Sequence, residues 1–106
     1  MAEIDFTPCC TLSHIDTGDY TGTIIEINFD KKRNALWFVI DIENIGILNT
    51  PVFLNSKALN KFALKCLNEN NKFDTDKALN REIKFHTIDK EINDNIYTHI
   101  TEIDFV

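Results

Sequence analysis

Side chains able to do chemistry are few in this sequence and mostly scattered. Cys9, Cys10 and His14 form the tightest grouping of metal-capable residues. Tetrahedral zinc sites take four ligands, commonly as spaced pairs, and neither a CxxC pair nor a second ligand pair accompanies this group. His86 and His99 stand apart, each in a predicted strand. Cys66 recurs in helical phase with Phe62, which gives it a packing role. There is no GxSxG, GxGxxG, P-loop or HExxH motif. The carboxylates are spread along the chain rather than paired for acid–base work. The expectation is a protein without catalytic, metal or cofactor chemistry. What remains are aromatic and cationic side chains: Trp37, Tyr20 and Tyr97, the run Lys31-Lys32-Arg33, the series Lys57, Lys61 and Lys65, and the alternating pair Lys84 and His86.

The elements that must position these residues belong to one domain. The chain has 106 residues, of which 43% are hydrophobic and 26% charged. That is too apolar for disorder and long enough to bury a core without disulfides. The three cysteines are odd in number and two are adjacent, so they read as thiols of a reducing compartment. No apolar run approaches the roughly 18 residues of a membrane span. The start, Met-Ala-Glu-Ile-Asp, carries acid where a signal peptide carries base. The expected location is therefore cytoplasmic, with no membrane partner. A net charge of −6 argues against attachment to duplex DNA by overall charge. It leaves room for a local basic groove, or for acid presented to a partner's basic groove. The lean toward Ile, Asn, Lys and Asp reflects AT-rich codons, as in low-GC bacteria and their mobile elements.

Residues 1–17 read as an N-terminal segment in which Ile4 and Phe6 alternate with acids like a brief edge strand, interrupted by Pro8. Residues 18–106 read as the main domain. Asp19 to Phe29 is a strand with Thr23, Ile25, Ile27 and Phe29 on one face and Tyr20, Gly22, Ile24, Glu26 and Asn28 on the other. Gly22 inside it marks a bulge or bend. Residues 30–34 form a polar hairpin loop. Ala35 to Glu43 is a strand with Leu36, Phe38, Ile40 and Ile42 inward and Trp37 and Val39 outward. Ile47 to Leu54 is a third strand, where Pro51 signals an edge or bulge. The period then changes to 3.6. Ser56 caps a helix to Asn68, with an apolar stripe of Ala58, Leu59, Phe62, Ala63, Cys66 and Leu67. Strands at Arg81–Ile88, with Ile83 and Phe85 inward, and Ile96–Phe105 follow, joined by a charged hairpin loop at Asp89–Asn95, with a bulge between Ile100 and Ile103.

Three strands, a helix and two strands is the chain order of a five-stranded OB-fold-like barrel with one α-helix between strands 3 and 4. Several pieces resemble small OB-fold single-stranded-DNA-binding proteins of phages and mobile genetic elements. They are Gly18-Asp19-Tyr20-Thr21-Gly22, the strand Leu36 to Glu43, Leu54-Asn55-Ser56 before the helix, and Leu79-Asn80-Arg81-Glu82-Ile83. Asn80 stands where such families often place glycine, and the sequence ends in an expected strand at Phe105-Val106 rather than in the acidic flexible tail of cellular single-strand binders, so tail-mediated recruitment of replication partners is not expected. The resemblance implies a nonenzymatic protein binding single-stranded nucleic acid, chiefly DNA. Trp37 would stack bases, with Tyr20 and Tyr97 as further aromatics, and Lys31, Lys32 and Arg33 would hold phosphates, with Lys84 and His86 extending the groove.

Each of these residues has a plainer reading. Trp37 could cover an apolar patch under the N-terminal segment, and Tyr20 and Tyr97 could close the barrel rim. Lys31–Arg33 could be a solvated hairpin tip, and Lys57, Lys61 and Lys65 the wet face of a helix. Two other functions compete. An acidic inhibitor or adaptor, such as a phage antagonist of a host nucleic-acid-handling complex, could mimic DNA with Asp41/Glu43, Asp74/Asp76 and Asp89/Glu91/Asp94. A homo-oligomeric assembly subunit could pair through strand edges near Pro51 and the N-terminal segment.

Overall fold

In the computed structural model, residues 11, 12 and 14–106 are described. The expected edge strand at Ile4 and Phe6, and the thiols of Cys9 and Cys10, lie outside them. The chain is mostly β. Its strands are β1 (Thr11–Leu12), β2 (Gly18–Asp30), β3 (Ala35–Ile42), β4 (Gly46–Phe53), β5 (Glu82–Ile92) and β6 (Asn95–Phe105). One short helix, α1 (Lys57–Ala63), lies between β4 and β5. The six strands form one sheet in the order β1-β4-β3-β2-β5-β6. All neighbours are antiparallel except β1, which adds two parallel residues beside Ile47 and Leu48.

Two expectations need correction here. The sheet is not a closed five-stranded barrel, because β4 and β6 share no ladder. With Thr11–Leu12 counted as a strand, the helix follows the fourth of six strands among the described residues, rather than the third of five. The sheet does curl. Thr50 Oγ1 on β4 donates to the Thr98 carbonyl on β6 at 3.4 Å. The Thr98 hydroxyl also accepts from the Ile15 N–H at 2.7 Å and lies 3.2 Å from the Ile15 carbonyl. Thr98 is buried, so these bonds satisfy groups that would otherwise be costly to desolvate.

β2 is the joint of the sheet. Its first part, Gly18 to Thr23, pairs with β5, and Thr23 to Asp30 pairs with β3. A register shift between Ile24 and Glu26 leaves Ile25 as the extra residue of a bulge. The bulge overturns the expected faces. Ile24 is fully buried while Ile25 is exposed, and the core side continues at Ile27. A period-two reading has no means of placing such a slip. Gly22 is required where β2 crosses β3: a Cβ there would stand 2.7 Å from Ile40 Cγ2 and 2.9 Å from the Asp41 carbonyl oxygen. In β6, Thr101 is the residue skipped opposite His86 and Thr87, which is the phase shift seen in the sequence.

Ser56 caps α1 as expected, its Oγ accepting from the Leu59 N–H at 3.2 Å. The helix is shorter than the period suggested. It ends at Ala63, and Leu64–Cys66 tighten into a 3-10 turn that still buries Cys66. Phe62 holds α1 on the core, edge-on to Phe38 of β3 at 6.3 Å and tilted on Phe105 of β6 at 4.8 Å between centroids. One helical side chain thus ties together the two flanks of the curled sheet.

Turns rest on asparagine. Asn34, Asn44, Asn71, Asn80 and Asn93 all have positive φ, a region that asparagine enters more readily than other side-chain-bearing residues. Asn80, at φ 62, takes the conformation that glycine usually supplies. Asn93 and Asp94, both at positive φ, make a two-residue hairpin turn. The expected loop over 89–95 is therefore mostly strand.

A Gly22→Ala substitution forces the Asp41 carbonyl to move. It is expected to destabilise the domain by about 1–3 kcal/mol in urea unfolding, with little loss if β2 can straighten instead.

Candidate functional site

Asp30 ends β2 and organises the hairpin loop that follows. Its Oδ1 accepts from the Arg33 N–H at 3.3 Å, closing the turn. Its Oδ2 accepts from the indole Nε1–H of Trp37 at 3.2 Å. The Trp37 hydrogen bond is the largest cause holding the Asp30 carboxyl below its ordinary pKa; burial opposes it, and the backbone N–H and charge of Arg33 add to the lowering. Arg33 also places its guanidinium 5.8 Å from the centre of the indole ring and 3.8 Å from Asp30. Loop and tryptophan are therefore one unit, fixed through a single carboxylate.

Trp37 lies opposite Asn28 of β2 and Pro51 of β4. Its neighbours Leu36 and Phe38 are buried, so it points to the outer face, where it is half-buried. Val39 on the same face is also half-buried, and Phe53 follows Pro51 two residues along β4. Phe53 is 39% exposed and stands diagonally beside Trp37. Phe53 does not stand out in the sequence, because only the β3–β4 register puts it on the tryptophan's face. The hairpin cations Lys31 and Lys32 are exposed, with no ion-pair partner among the described residues. Glu26 and Asp41 share the face.

Tyr20 and Lys84 do not join this group. Thr21 pairs with Lys84, whereas Asn28 pairs with Trp37. Seven residues of strand separate those positions, a contour of roughly 23 Å at about 3.3 Å per residue. Tyr20 stacks on Phe85 at 5.9 Å and donates its hydroxyl to the Asp16 carbonyl at 2.7 Å. Both ends of that side chain are occupied. Lys84 instead lines a cleft of about 670 Å³ with Lys57, Lys61 and Lys65 of the helical segment. Tyr97 is exposed on the β5–β6 ribbon opposite Lys90. His86 meets Asp19 at 2.8 Å and His14 meets Asp89 at 2.7 Å.

The acidic clusters are not one band. Asp74 caps the 3-10 turn at Thr75–Lys77 through its side chain, and Asp89 is held by His14. Among the described residues no three His, Cys, Asp or Glu side chains converge as a metal site. Among the same residues no helix is long and apolar enough to cross a membrane. Searches of protein-family models, curated proteins and solved structures return no match to this chain.

Because the Asp30 carboxyl is depressed by its native contacts, its stabilisation is present above the ordinary carboxylate pKa and is lost as pH falls through the lower folded value. Trp37 is the single tryptophan, so its emission reports this site. An acid-induced emission change with its midpoint below about 3.9, the ordinary aspartate value, is expected while far-UV circular dichroism is still native. Asp30→Asn should abolish that step. An identical step in the variant would show that Asp30 does not hold the indole.

Proposed function

We infer that this protein binds single-stranded nucleic acid, most naturally DNA, on the outer face of β3 and β4, without catalysing a reaction. One observation carries the inference: Trp37 is anchored by its edge to Asp30 on an outward strand face, with Phe53 beside it and the cations of Lys31, Lys32 and Arg33 at its end. Bases need flat surfaces and phosphates need cations, and single-strand sites join the two. An indole already fixed by its N–H loses little freedom when a base stacks on it. The Arg33 guanidinium lies over the indole ring, and its own planar group can stack a base on that side. Lys31 and Lys32 would take phosphates as mobile point charges.

The strand order supports the same reading. With β1 set aside, the order β4-β3-β2-β5-β6 is that of an OB-fold sheet opened between its third and fifth strands. The Thr50–Thr98 bond lies across that gap. In an OB-fold the ligand lies across strands 2 and 3, here β3 and β4, beside the loop that holds Lys31–Arg33. The charge of −6 does not oppose such a site, since only the local field touches the strand. Such a protein would serve a phage or mobile element in the cytoplasm of its host, alone or with a protein partner.

Titration with oligo-dT at low salt should quench Trp37 emission. Trp37→Ala should weaken binding in a mobility-shift assay by about 1–3 kcal/mol, the usual value of one stacked base. Replacing Lys31 and Lys32 by Gln should flatten the log–log salt dependence by about 0.7 per lysine. Unchanged emission and mobility with excess oligonucleotide at low salt would overturn the proposal.

A further inference from the structure

The cleft beside α1 is a second place where cations converge, and neither the indole nor the hairpin loop takes part in it. Lys57, Lys61 and Lys65 follow one another at four-residue spacing, so the helical segment presents them along one side. Its other side is committed to the core through Ala58, Leu59, Phe62 and Cys66. Across the cleft, Lys84 projects from the outer face of β5 between Thr21 of β2 and Asp104 of β6. Four of the chain's eleven basic residues therefore surround one concavity, on a protein whose net charge is −6.

Three carboxylates share the lining, and two of them are engaged. Asp104 pairs with Lys65, whose hydrogen bond is the largest cause of its depressed pKa. Asp19 pairs with His86. Glu102 is the third. Lys57, Lys61 and Lys84 have no ion-pair partner among the described residues. The Asp104 contact fixes the end of the lysine series against the sheet, and Lys84, opposite Asp104 in register, also lowers that carboxyl through its charge without forming an ion pair with it. Thr21 and Thr101 place hydroxyls on the same lining. At about 670 Å³ the cleft is in the size range of small-ligand sites. Like charges held around a concavity repel one another, and a multiply charged anion relieves that repulsion.

We propose that this cleft binds a phosphate group through Lys57, Lys61 and Lys84. The phosphate can belong to a free phosphorylated compound or to a nucleic-acid chain. The proposal does not rest on the stacking role of Trp37.

The test is an amide-shift titration of the full chain with inorganic pyrophosphate at constant ionic strength, chloride being the replaced anion. Saturable shifts at Thr21, Lys84 and Thr101 are expected. The triple variant Lys57→Gln, Lys61→Gln, Lys84→Gln should weaken binding at least tenfold. All three side chains are exposed, so the fold should be kept, and an unchanged amide spectrum elsewhere checks this. Trp37→Ala should leave the pyrophosphate titration unaltered, which separates this site from the stacking face. Oligo-dT that displaces pyrophosphate from these amides identifies a phosphodiester chain as the source, and failure to displace it identifies a free phosphate compound. Either result supports the cleft as a phosphate site. Equal shifts with chloride alone, or equal affinity in the folded triple variant, would overturn it.

Discussion

Everything in this sheet depends on how β2 passes from one neighbour to another. Its thirteen residues serve two ladders, and the change of partner occurs at Thr23, next to Gly22 and the bulge at Ile25. A strand that pairs with β5 at one end and β3 at the other must bend, and the bend brings its backbone against Ile40 and Asp41. Only a residue without a Cβ fits there. The curl that results brings Thr50 and Thr98 within hydrogen-bond reach and gives Phe62 two flanks to pack against. The apolar energy of folding is collected by Phe38, Phe62, Ile24, Ile40, Leu48, Ile83 and Ile100, but that cluster exists only because the sheet curls.

The same bend separates the two cationic regions. One end of β2 leads into the Lys31–Asn34 loop and the Trp37 face, and the other runs past Lys84 toward the lysine-bearing helix. Asp30 in one region and Asp104 in the other have matching roles. Each carboxylate accepts a backbone N–H beside it and a side-chain donor, Trp37 or Lys65, and fixes a side chain that would otherwise be mobile. An acidic protein can in this way keep local cationic surfaces, using some of its acids as internal fasteners.

Local signals in the sequence carried as far as local physics reaches. Ser56 and the switch from period two to 3.6 mark the helix, since capping and amphipathic spacing are short-range properties. Its end is overrun because Cys66 stays in phase with the stripe while the backbone tightens into a 3-10 turn. The inner faces of β3 and β5 follow from alternation. The inner face of β2 does not, because one bulged residue inverts parity from Ile25 onward. Charge at Asp89–Asn95 reads as loop, yet a solvated two-stranded ribbon buries little and can be polar on both faces. Trp37 is visible as the outward residue of a strong strand. Phe53, and the meeting of Lys84 with Lys57, Lys61 and Lys65, depend on register and on helix docking, which no local window contains.

The most direct test of the central claim is an amide and indole chemical-shift map of the ¹⁵N-labelled protein on adding oligo-dT at low salt. The account predicts changes concentrated at Lys31, Lys32, Arg33, the Trp37 indole N–H, Val39 and Phe53. An unperturbed β3–β4 face, with changes nowhere or only at the acidic tip of the β5–β6 ribbon around Glu91 and Asp94, would contradict it.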